Sequence, residues 1–248
     1  MRIHDLAARP DLADAMWAMP NLWPPFLLQD PLGVLLFARL PEAFPEYQLV
    51  AVDDAGSVVG KVNALPFAWS GSDDDLPASG WDGILQRGFA ERAAGTPPTA
   101  ASLLEARVNP EHRGTGLAAT LLTAARETVG RLGLRALFGP VRPTRKAEQP
   151  LVPMADYVRQ VRDDGLPADP WIRAHARLGA RVVSVCPASM TVAGDLASWR
   201  RWTGLPFDRS GPLVVPDALV PVHVSVEHDH AAYVEPNVWM HHPVAGGG

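Results

Sequence analysis

The chain has one cysteine, two lysines, no surplus of positive charge and no long apolar run, and each shortage excludes something. A lone cysteine, Cys186, cannot form an internal disulfide. The N-terminal residues Met1-Arg2-Ile3-His4-Asp5 lack the apolar stretch of a secretory signal, so the expected compartment is the reducing cytoplasm. The longest apolar runs, such as Gly33 to Ala38, fall far short of the roughly 20 residues that span a bilayer, and no membrane segment is expected. With 22 basic residues against 27 acidic ones, a net charge of −5, nothing draws a polyanion from a distance, and nucleic acid is not an expected partner. Because Lys61 and Lys146 are the only lysines, positive charge resides almost wholly on arginine forks, which suit phosphates and carboxylates at fixed positions.

What is present is ample core material. Hydrophobic residues make up 47% and charged residues 20% of 248, which describes a folded chain of one to two domains; a single enlarged domain over 1–248 is the preferred reading. A short helix is expected over Leu12 to Met19, followed by proline-broken apolar sequence from Pro20 to Pro31. Tyr47 to Val52, the turn Asp53-Asp54-Ala55-Gly56 and Val58 to Ala64 read as a β-hairpin. An acidic loop precedes a helix opened by Asp82 and closed by Gly95. Ala101 to Val108 reads as a strand, stopped by Asn109-Pro110. Leu117, Leu121, Ala125, Val129 and Leu132 mark a helix, and Leu134 to Phe138 a strand beside the first, a unit whose simplest geometry is parallel. Met154 to Arg162 is a short helical run, Asp169-Pro170 caps a helix ending at Gly179, and Arg181 to Val185 is a strand. Val222, Val224 and Val226 alternate with polar residues in a closing antiparallel pair within 213–239.

The most informative run is Val108-Asn109-Pro110-Glu111-His112-Arg113-Gly114-Thr115-Gly116-Leu117-Ala118. Two glycines allow close backbone approach just where the first amides of a helix lack partners. Free amides, the positive end of a helix dipole and the Arg113 fork together suit a pyrophosphate, although glycine pairs also open helices that bind nothing. The lysine of a phosphate-binding P-loop is missing, and Ala119 stands where a dinucleotide fingerprint has its third glycine.

Arg113-Gly114-Thr115-Gly116-Leu117-Ala118 after Val108-Asn109-Pro110, together with the order of elements, resembles the GCN5-related N-acetyltransferase (GNAT) superfamily. The resemblance covers most of residues 1–195. It implies a mixed α/β fold with a splayed sheet flanked by helices, inserts at 70–95 and 142–169, and a C-terminal extension, 196–248, completing the sheet. It further implies an acyl-CoA-dependent N-acetyltransferase that moves an acetyl group from acetyl-CoA to a primary amine by direct attack. Arg113, Gly114, Thr115, Gly116, Leu117 and Ala118 would then hold the pyrophosphate, and the backbone near Arg107 and Val108 the pantetheine arm.

The proton carriers are less clearly marked. His175 occupies the place where many relatives carry an acidic tyrosine; it shares a helix face with Trp171 and Leu178, as an ordinary core histidine also would. Glu105 is the candidate base, yet strand alternation puts Glu105 and Arg107 opposite Leu104, Ala106 and Val108. A bulge would reverse that parity, and a surface pair between Glu105 and Arg107 is the plainer alternative. Trp81, Tyr157 and Trp171 are candidate acceptor contacts, with Arg142, Arg145 and Lys146 as further cations. No metal is expected, because His223, Glu227, His228, Asp229 and His230 lack a third ligand at a recognised spacing. Cys186 is expected to be a small buried side chain. The expected acceptor is a small-molecule amine; a protein or peptide amine, or a silent acyl-CoA sensor, are the rivals, and a homodimer is left open.

Overall fold

A computed structural model describes residues 1–244; the last four residues of the C-terminal extension lie outside the described range. Nine strands form one sheet: β1 (Arg2–Asp5), β2 (Gln48–Val52), β3 (Val58–Phe67), β4 (Ala100–Val108), β5 (Ala136–Val141), β6 (Arg181–Gly194), β7 (Gly211–Leu213), β8 (Val222–Ser225) and β9 (His230–Pro243). The α-helices are α1 (Ala13–Trp17), α2 (Pro31–Leu36), α3 (Leu40–Ala43), α4 (Gly80–Ala94), α5 (Leu117–Arg131), α6 (Met154–Tyr157), α7 (Pro170–Arg177) and α8 (Leu196–Thr203). Strands follow the order β1-β2-β3-β4-β5-β9-β8-β7, with β6 also paired to β9. Among the described residues only β4 and β5 run parallel. This is the mixed α/β architecture expected.

Local sequence explains α5 well. Leu117, Leu121, Leu122, Ala125 and Val129 form one buried stripe against Val59, Val62 and Ala64 of β3 and Ala101 and Leu103 of β4. A Cβ on Gly60 would lie 2.9 Å from Leu121 Cδ1, so glycine there lets the helix sit close to the strand.

Several boundaries differ from expectation for identifiable reasons. β1 pairs with β2 ahead of the first helix, and α1 spans only Ala13–Trp17 after a 3-10 turn at Pro10–Leu12. The helix expected to open at Asp82 starts two residues earlier, at Gly80, so Asp82 lies in its first turn. The run from Met154 keeps helical form only to Tyr157; a turn through Gly165 (φ +76°) and a bridge between Val161 and Pro167 replace the rest. β6 continues to Gly194, crossing Pro187 at an irregularity between Cys186 and Met190, where a missing N–H is tolerated. The C-terminal segment completes the sheet from within. β9 pairs with β5 at Val238–Pro243, with β6 from Ala231 to His241 and with β8 at His230–Ala232, so the core sheet depends on residues well beyond 195. Among the described residues no helix is long and apolar enough to cross a membrane.

Candidate active site

β4 and β5 pair only at Ala101 with Leu137 and Ser102 with Phe138. Beyond that point they diverge, so that among the described residues one edge of β4 from Leu103 to Val108 has no strand beside it. The splay opens a cleft of about 570 Å³, lined by Leu103–Val108, Gly139–Arg142, Arg113, Ala118, Trp171 and His175, with Leu22, Trp23 and Pro24 across it.

At one end lies the glycine loop. Gly114 and Gly116 adopt φ of +77° and +86° with open space around each, so backbone conformation, not crowding, calls for glycine. Gly116 caps α5 with no side chain across its first amides. The amides of Gly114, Thr115 and Gly116 make no hydrogen bond within the described residues. Arg113 and Ala118 line the cleft beside them. Unpartnered amides, a helix N-terminus and a guanidinium around open space fit an acyl-CoA diphosphate.

The bulge in β4 settles the parity of Glu105. Asn63 pairs with Glu105 but Ala64 pairs with Leu103, so Leu104 is the extra residue. Ala101 and Leu103 face α5 before the bulge and Ala106 and Val108 after it, whereas Leu104 packs in the opposite layer with Trp81. Glu105 and Arg107 therefore point to the N-terminal segment and form a buried cluster, not a surface pair. Glu105 lies 2.7 Å from Lys61 Nζ, pairs with Arg107 and accepts from Trp23 Nε1 at 2.6 Å. Arg107 also donates to Pro20 O and Asn21 Oδ1, which ties the proline-broken loop to the strand. Burial alone would raise the Glu105 carboxyl, but the charges of Lys61 and Arg107, with hydrogen bonds from Lys61 and Trp23, hold it below the usual carboxylate range. A carboxylate held this way is a weak proton acceptor.

α7 brings His175 to the opposite wall. Asp169 caps the helix through Trp171 N and Ile172 N, and is itself held by Tyr157 Oη at 2.8 Å and Arg145 N at 2.9 Å. His175 Nδ1 lies 2.8 Å from His242 Nε2 on β9, while among the described residues His175 Nε2 has no partner. Burial, reinforced by the neighbouring imidazole, lowers His175 to about 3, and burial lowers His242 to about 4. Both are therefore neutral at pH 7, and His175 is not an imidazolium acid there. The pair makes acid stability predictable. Unfolded imidazoles take up protons near pH 6.5, which the native ones refuse until about 3 and 4, so stability should fall as pH drops below about 6.5. Thermal melts at pH 7.5 and 5 should show this fall, smaller in His175→Gln; an undiminished fall would clear the pair of responsibility.

The acceptor residues expected from sequence separate. Trp171 lines the cleft, its ring 4.6 Å from that of His175. Tyr157 is a core residue that supports the α7 cap and does not line the cleft. Trp81 is 5% exposed, donates to Leu104 O and borders a neighbouring cavity. Arg142 lines the cleft but is paired to Glu235. Arg145 pairs with Glu148 at the surface. Lys146, fully buried, donates to Gln149 O and Leu219 O. Cys186 is buried, which pushes its thiol pKa up. Ser225 bonds His228 Nδ1 in the exposed β8–β9 turn, and among the described residues no three His, Cys, Asp or Glu side chains gather as a metal site. Sequence reasoning missed Lys61 and Trp23. The scarcity of lysine was the available signal, since both lysines prove to be buried.

No family model matches the chain. An arginine N-acetyltransferase, avaD, of Aspergillus versicolor is 34% identical over 269 residues, covering 96% of this chain and 92% of that protein. Among solved structures, the loading GNATL domain of CurA from Lyngbya majuscula matches with a TM-score of 0.60 at 15% identity, covering 98% of this chain and 97% of that one. The GphF GNAT-like decarboxylase, solved with isobutyryl-CoA, matches with a TM-score of 0.55 at 18% identity, covering 99% and 100%. These two likenesses are of fold.

Proposed function

Since the chain belongs to the GCN5-related N-acetyltransferase superfamily and is an acyl-CoA-dependent N-acetyltransferase, we propose that it moves an acetyl group from acetyl-CoA to a primary amine of a small molecule in the β4–β5 cleft. The observation that carries the reading is the meeting, in one cleft, of the open α5 N-terminus, the strandless edge of β4 and His175. That the relative is named for arginine, itself a small amine, supports the choice of acceptor.

Acyl-CoA supplies an activated acyl group. The loop amides of 114–118 and the Arg113 fork bind its diphosphate. The free edge of β4 near Arg107 and Val108 offers N–H and C=O groups to an extended arm, as an edge strand does to a peptide. A bulge amide, released from the ladder, can polarise the acyl carbonyl. His175 is proposed to donate a hydrogen bond from Nε2 to the departing sulfur, whose proton originates on the attacking nitrogen. Glu105 acts by position, holding Trp23 and Arg107 at the cleft wall.

Calorimetric titration with acetyl-CoA, CoA and a longer acyl-CoA, followed by thiol-release assays over an amine panel, tests the reading. Binding with amine-dependent CoA release is expected. Failure of every acyl-CoA to bind would end it, and binding without CoA release would favour a sensor. His175→Ala should lower kcat by about 100-fold with acetyl-CoA affinity unchanged; wild-type turnover would remove His175 from the mechanism.

A further inference from the structure

Beside the acyl-CoA cleft lies a second cavity of about 210 Å³, which shares Trp23 and Arg107 with it. Aromatic rings dominate one wall. Phe37 lies 5.5 Å from Trp17 and 5.5 Å from Trp81, and all three border the cavity. Asp30 reaches the same wall although only 2% exposed. Its Oδ1 caps α2 by accepting from Gly33 N at 2.7 Å, but among the described residues its Oδ2 makes no hydrogen bond. Asp82, from the first turn of α4, lies beside Asp30 with the Thr191 backbone near both carboxyls, and among the described residues Asp82 Oδ1 likewise makes no hydrogen bond.

Among the described residues neither aspartate forms a salt bridge. Glu235 adds repulsion and is itself held by Arg142. Burial first, then the charge of Asp30, pushes Asp82 up to about 8, and burial raises Asp30. Two neighbouring carboxyls buried in this way oppose each other's ionisation. A buried carboxylate with no cation paired to it is costly, and a ligand cation offsets that cost.

We propose that this cavity seats the far end of the acceptor, whose acylated nitrogen lies in the β4–β5 cleft, and that Asp30 receives a guanidinium there, so that the acceptor is a small amine carrying a guanidinium besides the nitrogen that is acylated. The proposal rests on the transferase reading above. A guanidinium keeps its charge at any working pH, leaving the second nitrogen free to be neutral for attack. Its parallel N–H groups match neighbouring carboxylate oxygens, and its flat, weakly hydrated face suits indole and phenyl rings. At the wall shared with the cleft, Lys61 and Arg107 face the single carboxylate of Glu105, so a carboxylate on the acceptor meets excess positive charge.

Arginine and citrulline, nearly isosteric and differing in the guanidinium charge, provide the test on the wild-type protein. Binding is followed by calorimetry with and without CoA, and turnover by thiol release. Arginine should bind, and citrulline should lose at least about 100-fold in affinity and in kcat/KM. Asp30→Asn, which keeps the helix cap, and Asp82→Asn should each weaken arginine binding about tenfold or more with acetyl-CoA affinity unchanged. Equal handling of arginine and citrulline, or wild-type arginine affinity in folded Asp30→Asn, would overturn the proposal. Loss of acetyl-CoA binding in the wild type would instead overturn the transferase reading, with arginine binding still deciding the cavity assignment.

Discussion

Glu105→Ala is expected to destabilise the protein by about 3–5 kcal/mol, because removing one member of a buried ion cluster leaves its partners charged without a counter-ion. Lys61 is 2% exposed and Arg107 9%, so neither can turn to water without disturbing the strands that carry it. The same substitution removes the acceptor for Trp23 Nε1, loosening residues 20–24 from β4. For a chain of this size the melting temperature should drop by about 10 °C. Glu105→Gln, which retains the shape and one acceptor, should fall between the two. Adding Lys61→Met to Glu105→Gln should recover part of the loss, since a cluster with fewer unpaired charges is cheaper to bury. A melting temperature for Glu105→Ala within about 2 °C of the wild type would show that water or a rearrangement satisfies both cations.

The second large effect is on acyl-CoA binding. Gly116 has φ of +86° with nothing within 4 Å of a built Cβ. Asparagine and aspartate tolerate this left-handed conformation better than other side chains. Both Gly116→Asn and Gly116→Asp should therefore fold. Aspartate places a negative charge at the helix terminus assigned to a diphosphate, and should weaken acetyl-CoA binding by at least about 100-fold. Asparagine, which adds bulk without charge, should lose less. Equal affinities for the two variants would show that the anion does not sit at this terminus; wild-type affinity in both would remove the loop from the site altogether.

The sequence disclosed those features whose causes lie within a few residues of each other. α5 announces itself because Leu117, Leu121 and Leu122 are neighbours on one helix face. Asp169-Pro170 supplied a cap that the structure retains, and Gly114 and Gly116 were legible as backbone positions since their positive φ is a local property. Other readings needed a partner strand. Alternation alone left Glu105 ambiguous, because the bulge at Leu104 exists only in register with β3. Tyr157 read as a candidate acceptor contact in an insert, whereas its hydroxyl holds the cap of a later helix.

By itself, then, the sequence determined the crossover unit from β4 through α5 to β5, the phosphate-suited loop and the family to which these belong. The tertiary structure decided the insertion of β9 between β5 and β6, the pairing of Lys61 with Glu105, the contact of His175 with His242 and the meeting of Asp30 with Asp82. The physical reason is range. Helix periodicity, caps and turn glycines follow from contacts three or four residues apart, while strand partners and buried charge clusters join distant segments whose proximity no local pattern encodes. Only when the sheet brings those segments together does burial fix which charges are paired and which of them await a ligand.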